Sequence, residues 1–425
     1  MRKIITCFAI VLSIISTSAF ALDSGFEASQ FRPVTDNGSY FGVWDSNNLY
    51  QKEWRLGTFA TYENRPFQLT RNGNRQQGII DNTIIQHIHG SFGIFDKWLS
   101  IGFDLPVGWW VDFQDPNVAG STATNTMAIG DLRINLKSQL YGSRCKKFGV
   151  ALIPFIDIPT GYGNEFFGNG TIRGGGFFAL DYKPWRKFSL ALNAGISGRS
   201  TFNFRDIERK AQLHLALGVK YKLSRKWSLN AELLSQTRLT GIYAEAVESP
   251  TEWLTGVKYK IGKTGLTASL GTGMGITYGS MSPRFRIFTG LTYTPFKRNI
   301  VKLKKALRNT TVHFDSGKHD IKKSEQEKLN SLVPLFKKTY SAPVMIAGHT
   351  DAEGDNQYNE TLSNDRTREI VNFLVDKKVK EKRFYRLGLG EKHPVASNTS
   401  ESGKAQNRRA HIKTMNCKDL AGFKL

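Results

Sequence analysis

Apolar and polar residues alternate along much of the first 295 positions of the chain. The clearest stretch runs from Leu213 to Leu223, where every second side chain is apolar. The residues between them are His214, Ala216, Gly218, Lys220 and Lys222. Similar stretches recur between Gly, Asn, Asp and Pro residues. Each stretch predicts a β-strand with one apolar face, because successive strand side chains point to opposite sides.

The length of these stretches selects between two kinds of β-structure. Strands of soluble sandwiches usually have about five or six residues, whereas a tilted strand needs about ten to cross a hydrocarbon core. Aromatic residues near the strand ends are typical of a membrane interface: Trp109, Trp110, Trp185, Trp227, Trp253, Tyr278 and Tyr293. We therefore predict an all-β transmembrane barrel of about 12 antiparallel strands over residues 52–296. A soluble β-domain is the alternative.

The N-terminus has the features of a secretory signal peptide. Arg2 and Lys3 precede an apolar run from Ile4 to Ile15, and Ala19-Phe20-Ala21 is a cleavage signal. We predict a signal peptide over 1–21, followed by an N-terminal segment over 22–51 that is one candidate to plug the barrel. The mature chain has two cysteines, Cys145 and Cys417, and the sequence does not determine whether they form a disulfide bond.

Charge is the unusual feature of the composition. The chain has 59 Lys and Arg against 36 Asp and Glu, a formal net charge of +23, which is typical of nucleic-acid binding, but export argues against DNA or RNA as a partner. The predicted lumen side carries many basic residues and few acids, such as Asp131 and Glu232. Either the lumen favours anions, or several basic residues lie at strand ends near lipid phosphates or solvent. The basic lumen-side positions are Arg133, Lys137, His214, Lys220, Lys222, Lys258, Lys260 and Arg286.

After Pro295 the pattern changes to alternating strands and helices. We predict a small α/β domain of order βαβαββ over 297–417 and a C-terminal tail over 418–425. On a predicted helix from about Asn356 to Asp376, Arg366 lies in the apolar stripe and needs a buried acceptor. Asp351 follows a predicted strand and is the candidate acceptor for Arg366. Spacing allows a structural ion pair or a clamp for a zwitterionic ligand.

Several motifs of this domain resemble a known family. The segment Gly348-His349-Thr350-Asp351-Ala352-Glu353-Gly354, then Asn359, then Leu362-Ser363-Asn364-Asp365-Arg366 resembles the GHTDxxG…NxxLSxxR motif of the OmpA-like, peptidoglycan-binding domain. Further similar segments are Val312–Asp315, Gly388–Pro394 and Asn407–Arg409, so that the resemblance covers about 300–415. Thr367 and Ala410-His411 depart from the family pattern outside the motif's Asp and Arg.

The resemblance implies a function and a site. In that family the domain binds the cell-wall peptide noncovalently, and the motif's Asp and Arg hold the zwitterionic end of diaminopimelate. Carried over, these residues are Asp351 and Arg366, with Asn359 and Arg408 beside the ligand and Thr350 within the motif. These five are the candidate binding residues.

The expected function is therefore an outer-membrane barrel that anchors the membrane to peptidoglycan through a periplasmic domain. The alternative is a porin-like diffusion channel with a preference for anions, in which the domain serves only as a tether to the wall. A role like that of flagellar stators is disfavoured by the cleavable signal and the barrel. Expected partners are peptidoglycan and outer-membrane lipids, and no enzyme activity, cofactor or metal is predicted. His87 and His89 share a strand face and fit polar lumen residues better than metal ligands.

Overall fold

The computed structural model describes residues 27–36, 38–71, 74–95, 98–113, 125–142, 146–161, 166–204, 207–277, 280–295, 298–308, 310–339 and 342–415. The chain divides into two compact units, Met1–Pro295 and Phe296–Leu425. The predicted signal peptide, Tyr278, Cys145, Cys417 and the C-terminal tail lie outside the described residues. Within the described ranges, no helix is long and apolar enough to cross a membrane.

The first unit is a closed antiparallel β-barrel. Its strand segments follow one another in sequence around the barrel, and pairing of β1 with β13 and of β2 with β3 closes it. Both β4 and β5 pair with β3, so these two segments form one crossing and the barrel has twelve strands, as predicted. The segments are β1 (Trp54–Arg71), β2 (Asn74–Phe95), β3 (Leu99–Phe113), β4 (Asn125–Ile129), β5 (Leu132–Tyr141), β6 (Phe148–Ile158), β7 (Arg173–Tyr182), β8 (Phe188–Phe204), β9 (Ile207–Lys222), β10 (Trp227–Arg238), β11 (Thr251–Ile261), β12 (Leu266–Gly275) and β13 (Phe285–Tyr293).

The outside of the barrel is apolar and the inside is largely polar. Along β13, exposed Phe285, Ile287 and Leu291 alternate with buried Arg286 and Phe288. A continuous exposed apolar surface of this kind is unfavourable in water and suits lipid. Other outward apolar residues include Ile88, Phe103, Phe178, Leu192, Ile196, Leu217, Leu229 and Leu270. The predicted alternation thus holds with the apolar face turned outward.

Residues 27–36 and 38–50 lie inside the barrel rather than in its wall. Phe31 and Phe41 are buried against Phe59, Leu254 and Phe288, which come from three different strands. The polar contacts of the segment reach inward-facing side chains all round the barrel: Arg55, Asp104, Lys137, Asp181, Asn193, Asn230, Glu232 and Lys258. The N-terminal segment therefore fills the described part of the lumen.

The second unit is a small α/β domain. Its elements are α1 (Arg298–Leu307), β14 (Thr311–His313), α2 (Lys323–Lys338), β15 (Val344–Gly348), α3 (Asn356–Asp376), β16 (Phe384–Gly388), α4 (Glu401–Asn407) and β17 (Arg409–Thr414). The sheet order is β14-β17-β15-β16, with β15 parallel to β16 and antiparallel to β17. The predicted α/β class is confirmed. The structure adds α1 and α4, and α4 is too short for its helical period to be recognisable in the sequence.

One hydrophobic core joins the helices of this unit to its sheet. Phe336 of α2 and Leu374 of α3 are buried against Val344 and Ile346 of β15 and Ile412 of β17. Because the core covers one face of the sheet, α3 is fixed across the carboxyl end of β15. That end is where the predicted site begins.

Candidate functional site

The turn between β15 and α3 is shaped by a glycine and a helix cap. Gly354 has φ +90°, and a Cβ there would meet the Tyr358 ring at 2.8 Å, so the turn needs glycine. Asp355 caps α3, since its carboxylate accepts a hydrogen bond of 2.7 Å from the backbone N–H of Tyr358. The polar loop 349–355 is thereby held at the N-terminus of α3.

Close packing of α3 on β15 brings Arg366 to the loop. A Cβ at Gly348 would meet the backbone oxygen of Ser363 at 2.2 Å, so only glycine permits this approach. Arg366 is fully buried and its guanidinium lies 5.0 Å from the centroid of the Phe314 ring. The prediction that this arginine faces the core side of the helix agrees with this position.

Backbone carbonyls, and not a carboxylate, accept the hydrogen bonds of Arg366. Its Nε donates to the oxygen of Lys318 at 2.9 Å, Nη1 to the oxygen of His349 at 2.7 Å, and Nη2 to the oxygen of Asp315 at 3.1 Å. A guanidinium has five N–H groups, so one further N–H is left on each terminal nitrogen. Burial lowers the pKa of Arg366 to about 10, while nearby Asp351 acts in the opposite direction. The side chain thus stays cationic at neutral pH.

Asp351 is paired with Arg408. Nη1 of Arg408 donates to Oδ2 of Asp351 at 2.8 Å, and both side chains are largely buried. Oδ1 of Asp351 has a longer contact of 3.4 Å with the backbone N–H of Glu353. The direct Asp351–Arg366 ion pair that spacing allowed is not formed among the described residues.

Four polar atoms in this region are buried and have no hydrogen-bond partner among the described residues. They are Nδ1 of His349, Oγ1 of Thr350, Oδ1 of Asn359 and Nε of Arg408. Asn359 uses its Nδ2 to donate to Oε2 of Glu391 at 2.9 Å, and Thr350 uses its backbone N–H to donate to Gly390 at 3.0 Å. Unsatisfied buried polar atoms are costly unless a ligand or water meets them.

The structure therefore gathers the five candidate residues around the carboxyl end of β15. Contacts link Asp351 to Arg408 directly and link Thr350 and Asn359 through the adjoining residues Gly390 and Glu391. The role of Glu391 as partner of Asn359 was missed. Its sequence signal was weak, because Glu391 lies 32 positions from Asn359 in a loop without periodicity.

The lumen is more balanced in charge than the sequence suggested. Lys137 contacts Asp36 at 2.6 Å, and Arg133 donates to Asp157 at 2.7 Å. Arg286 is fully buried between Glu63 and Glu252. In contrast, Lys222 and Lys260 are exposed at strand ends. The strand-end interpretation therefore fits Lys222 and Lys260, whereas the inner cations are paired with acids, most of which were not singled out in the sequence.

The fold defines an outer-membrane β-barrel protein with an OmpA-type domain in the periplasm. Residues 313–408 match the OmpA family. Residues 35–278 match the family described as "Putative MetA-pathway of phenol degradation". That match covers more than half of the chain, so the chain belongs to this family. The OmpA family consists of structural proteins rather than enzymes.

Two curated relatives each match about a quarter of the chain. Outer membrane porin F of Pseudomonas fluorescens is 36% identical over 98 residues, which are 23% of this chain and 30% of that protein. The peptidoglycan-associated lipoprotein of Buchnera aphidicola is 29% identical over 124 residues, 29% of this chain and 70% of the lipoprotein. A solved outer membrane channel from Pseudomonas putida F1 aligns with a TM-score of 0.48 and 13% identity, covering 59% of this chain and 98% of the channel. The chain thus spans less than a third of the porin's length.

Proposed function

We propose that the protein anchors the outer membrane to peptidoglycan, and that its second unit binds the diaminopimelate residue of the wall peptide noncovalently. The observation that carries the proposal is the set of buried, unpartnered polar atoms on Thr350, Asn359 and Arg408 beside a buried charged arginine. Such a set is expected where a polar ligand completes the hydrogen bonding. The printed name of the Buchnera relative, a peptidoglycan-associated lipoprotein, supports the same class of partner.

The free donors and acceptors suit a zwitterion. The remaining N–H groups on Nη1 and Nη2 of Arg366 suit a carboxylate, because a guanidinium binds carboxylates through paired donors. Among the described residues, Oδ1 of Asp351 has only the long backbone contact and suits an ammonium group. Since the rest of Arg366 is held by three carbonyls, the arginine is fixed before the ligand arrives. We infer that Arg366 binds the carboxylate and Asp351 the ammonium of one diaminopimelate end.

The alternative, an open diffusion channel, has less support. Residues 27–36 and 38–50 pack into the lumen with Phe31 and Phe41 fully covered, and inward-facing Lys137 and Arg286 are neutralised by acids. An anion-preferring pore would need an open path with unbalanced positive charge. In planar-bilayer recordings of the full chain we expect no steady conductance. A steady conductance with an anion-selective reversal potential would favour the channel.

Binding to isolated sacculi tests the anchor. The full-length chain in detergent should co-sediment with sacculi that contain diaminopimelate. Asp351→Asn and Arg366→Gln should each weaken binding by at least about thirtyfold, since loss of one partner of a buried charged contact costs about 2–5 kcal/mol. Glu360→Gln is the matched control, because Glu360 is an exposed carboxylate on the same helix.

Folding must be checked separately from binding. Because Arg366 also holds three carbonyls, the Gln variant needs a hydrogen-exchange measurement to show that β15 and α3 are intact. Asp351→Asn keeps the side-chain shape and is the cleaner variant. Undiminished sedimentation of folded Asp351→Asn would contradict the proposed site, whereas failure of the unaltered chain to sediment would contradict the anchor itself.

A further inference from the structure

The helices of the second unit cover one face of its sheet, and the other face forms an open groove. Val312, Ala410 and Ile412 point into the hydrophobic core, so the residues that alternate with them point the opposite way. The resulting groove has a volume of about 630 Å³. We call it the sheet groove, and its lining residues are Thr311, His313, Met345, Ala347, His349, Val395, Gln406, Arg409, His411 and Lys413.

The sheet groove is basic. Arg409, His411 and Lys413 occupy alternate positions of β17, and His313 of β14 lies directly opposite Arg409. His349 joins them at the end of β15, because its backbone N–H donates to the oxygen of Arg409 at 2.8 Å. Half of the ten described lining residues are therefore Arg, Lys or His, and none of the ten is Asp or Glu.

Arg409 is buried in the sheet groove without a carboxylate partner among the described residues. Its exposed fraction is 9%, and it donates to the backbone oxygens of Asn407 at 3.3 Å and His393 at 3.1 Å. A guanidinium has five N–H groups, so three of them have no acceptor in the described part of the chain. A buried cation in this situation is unfavourable unless an anion meets it.

His349 adds a second buried polar group to the sheet groove. Its Nδ1 is buried and has no hydrogen-bond partner within the described ranges, and its ring lies edge-on to that of His393 with centroids 6.5 Å apart. Burial lowers the pKa of His349 to about 4, and the positive charges of Arg409, His393 and His411 act in the same direction. Burial, together with Lys413 and Arg409, also lowers the pKa of His411. The groups of the groove therefore oppose one another's positive charge, and a bound anion would relieve this repulsion.

The size of the basic surface limits the ligand. Neighbouring strands lie about 4.8 Å apart and successive residues about 3.3 Å apart, so the basic side chains of β14, β17 and the end of β15 cover roughly 10 by 13 Å. The volume of the groove is in the range of small-molecule sites. An extended acidic peptide would place only about four residues there. A carboxylate brings one negative charge, whereas a phosphate group brings about two, with three acceptor oxygens, so linked phosphates match this density of cations best.

We propose that the sheet groove binds a small molecule that carries two or more linked phosphate groups. Arg409 binds one phosphate through its remaining N–H groups, and His349, His411 and Lys413 bind the others. The site is separate from the proposed wall-peptide site, because Arg408 contacts Asp351 whereas Arg409 lines the groove. The proposal is therefore independent of the anchor function.

Tripolyphosphate is the probe, and isothermal titration calorimetry on the full chain in a non-ionic detergent measures its binding. It should bind at least about tenfold more tightly than inorganic phosphate, because linked phosphates meet several cations at once. Arg409→Gln should weaken tripolyphosphate binding by at least about tenfold, the size of one hydrogen bond between charged groups. Arg368→Gln is the matched control, because it removes an exposed arginine from α3 on the covered side of the sheet, and it should bind as the unaltered chain does.

Folding and the wall-peptide site are checked with separate variants. Hydrogen exchange of β15 and β17 shows whether Arg409→Gln is folded. If it is not, the double variant His313→Gln with His411→Gln replaces it and should weaken binding by at least about fivefold. Asp351→Asn should not weaken tripolyphosphate binding, because its side chain lies outside the groove.

Several outcomes would overturn the proposal. They are the absence of tripolyphosphate binding to the unaltered chain, undiminished binding in a folded groove variant, and an equal loss in Arg409→Gln and Arg368→Gln. A loss in Asp351→Asn would assign the binding to the wall-peptide site instead. Tighter binding of hexaglutamate than of tripolyphosphate would identify an acidic peptide as the ligand and would also contradict the proposal.

Discussion

Nη1 of Arg408 lies 2.8 Å from Oδ2 of Asp351, so the carboxylate proposed to receive an ammonium group is already held by a guanidinium. Arg408 stands between α4 and β17, and 57 positions separate the two residues in the sequence. The pair fixes one oxygen of Asp351 and leaves the other toward the loop. We interpret Arg408 as a residue that positions Asp351.

This interpretation predicts a graded effect of substitution at Arg408. Arg408→Gln should weaken binding of a diaminopimelate-containing peptide by about tenfold, the order of magnitude of one charge-assisted hydrogen bond. Arg408→Lys should recover part of the loss, because it restores the charge without the planar donor pair. Isothermal titration calorimetry on the full chain measures both. Tighter binding by Arg408→Gln would instead mean that Arg408 competes with the ligand for Asp351.

Glu232 is expected to hold the N-terminal segment in the barrel. Its carboxylate accepts hydrogen bonds from the backbone N–H groups of Phe41, Gly42 and Val43. Glu232→Gln replaces one acceptor oxygen with a donor, and each hydrogen bond to a charged group contributes about 1.5–3 kcal/mol. We expect the segment to leave its place at least about ten times more often.

Thiol labelling can measure this release. A Val43→Cys reporter in a chain with the native cysteines replaced should react with a bulky maleimide at least about tenfold faster when Glu232→Gln is added. Glu245→Gln is the control, because Glu245 is exposed outside the lumen. Equal labelling rates in the two variants would show that other contacts hold the segment.

His349 should make the second unit less stable in mild acid. Burial, together with the positive charge of Arg409 and the neighbouring His393 and His411, lowers the pKa of His349 to about 4. The unfolded chain binds a proton near pH 6.5, whereas the folded state does not until about pH 4. Stability is therefore complete above about pH 6.5 and falls as the pH drops toward 4, by at most about 2–3 kcal/mol.

Hydrogen exchange on the full chain can detect this loss. Protection of β15 and β17, corrected for the intrinsic exchange rate, should decrease between pH 7 and pH 4.5. The decrease should be smaller in His349→Gln and unchanged in His319→Gln, which alters an exposed histidine. The pKa of His411 is also lowered by burial, so part of the decrease should persist in the His349 variant. Constant protection across this range would contradict the prediction.

The alternation of apolar and polar residues and the helical period predicted most of the fold. The two-residue period of Leu213–Leu223 predicted a strand that β9 matches as far as Lys222, and the apolar stripe with Arg366 predicted a helix that α3 matches. These signals are local, because neighbouring side chains alone set the period. Short elements such as α4 gave no such signal.

The partners of charged residues were harder to predict. Arg286 meets Glu63 from 223 positions away, and Lys137 meets Asp36 from 101 positions away. No period or spacing connects residues so far apart, so the sequence indicated the buried cations without the acids that neutralise them.

By itself, the sequence determined the classes of the two units, because strand alternation and helical period are local properties, and its resemblance to the OmpA-like motif supplied the five candidate residues. Tertiary structure decided that Asp351 pairs with Arg408 while carbonyls hold Arg366, and that residues 27–36 and 38–50 lie in the lumen. Each of these depends on which distant segments the closed barrel and the mixed sheet place side by side, and burial then selects the partner of every charge.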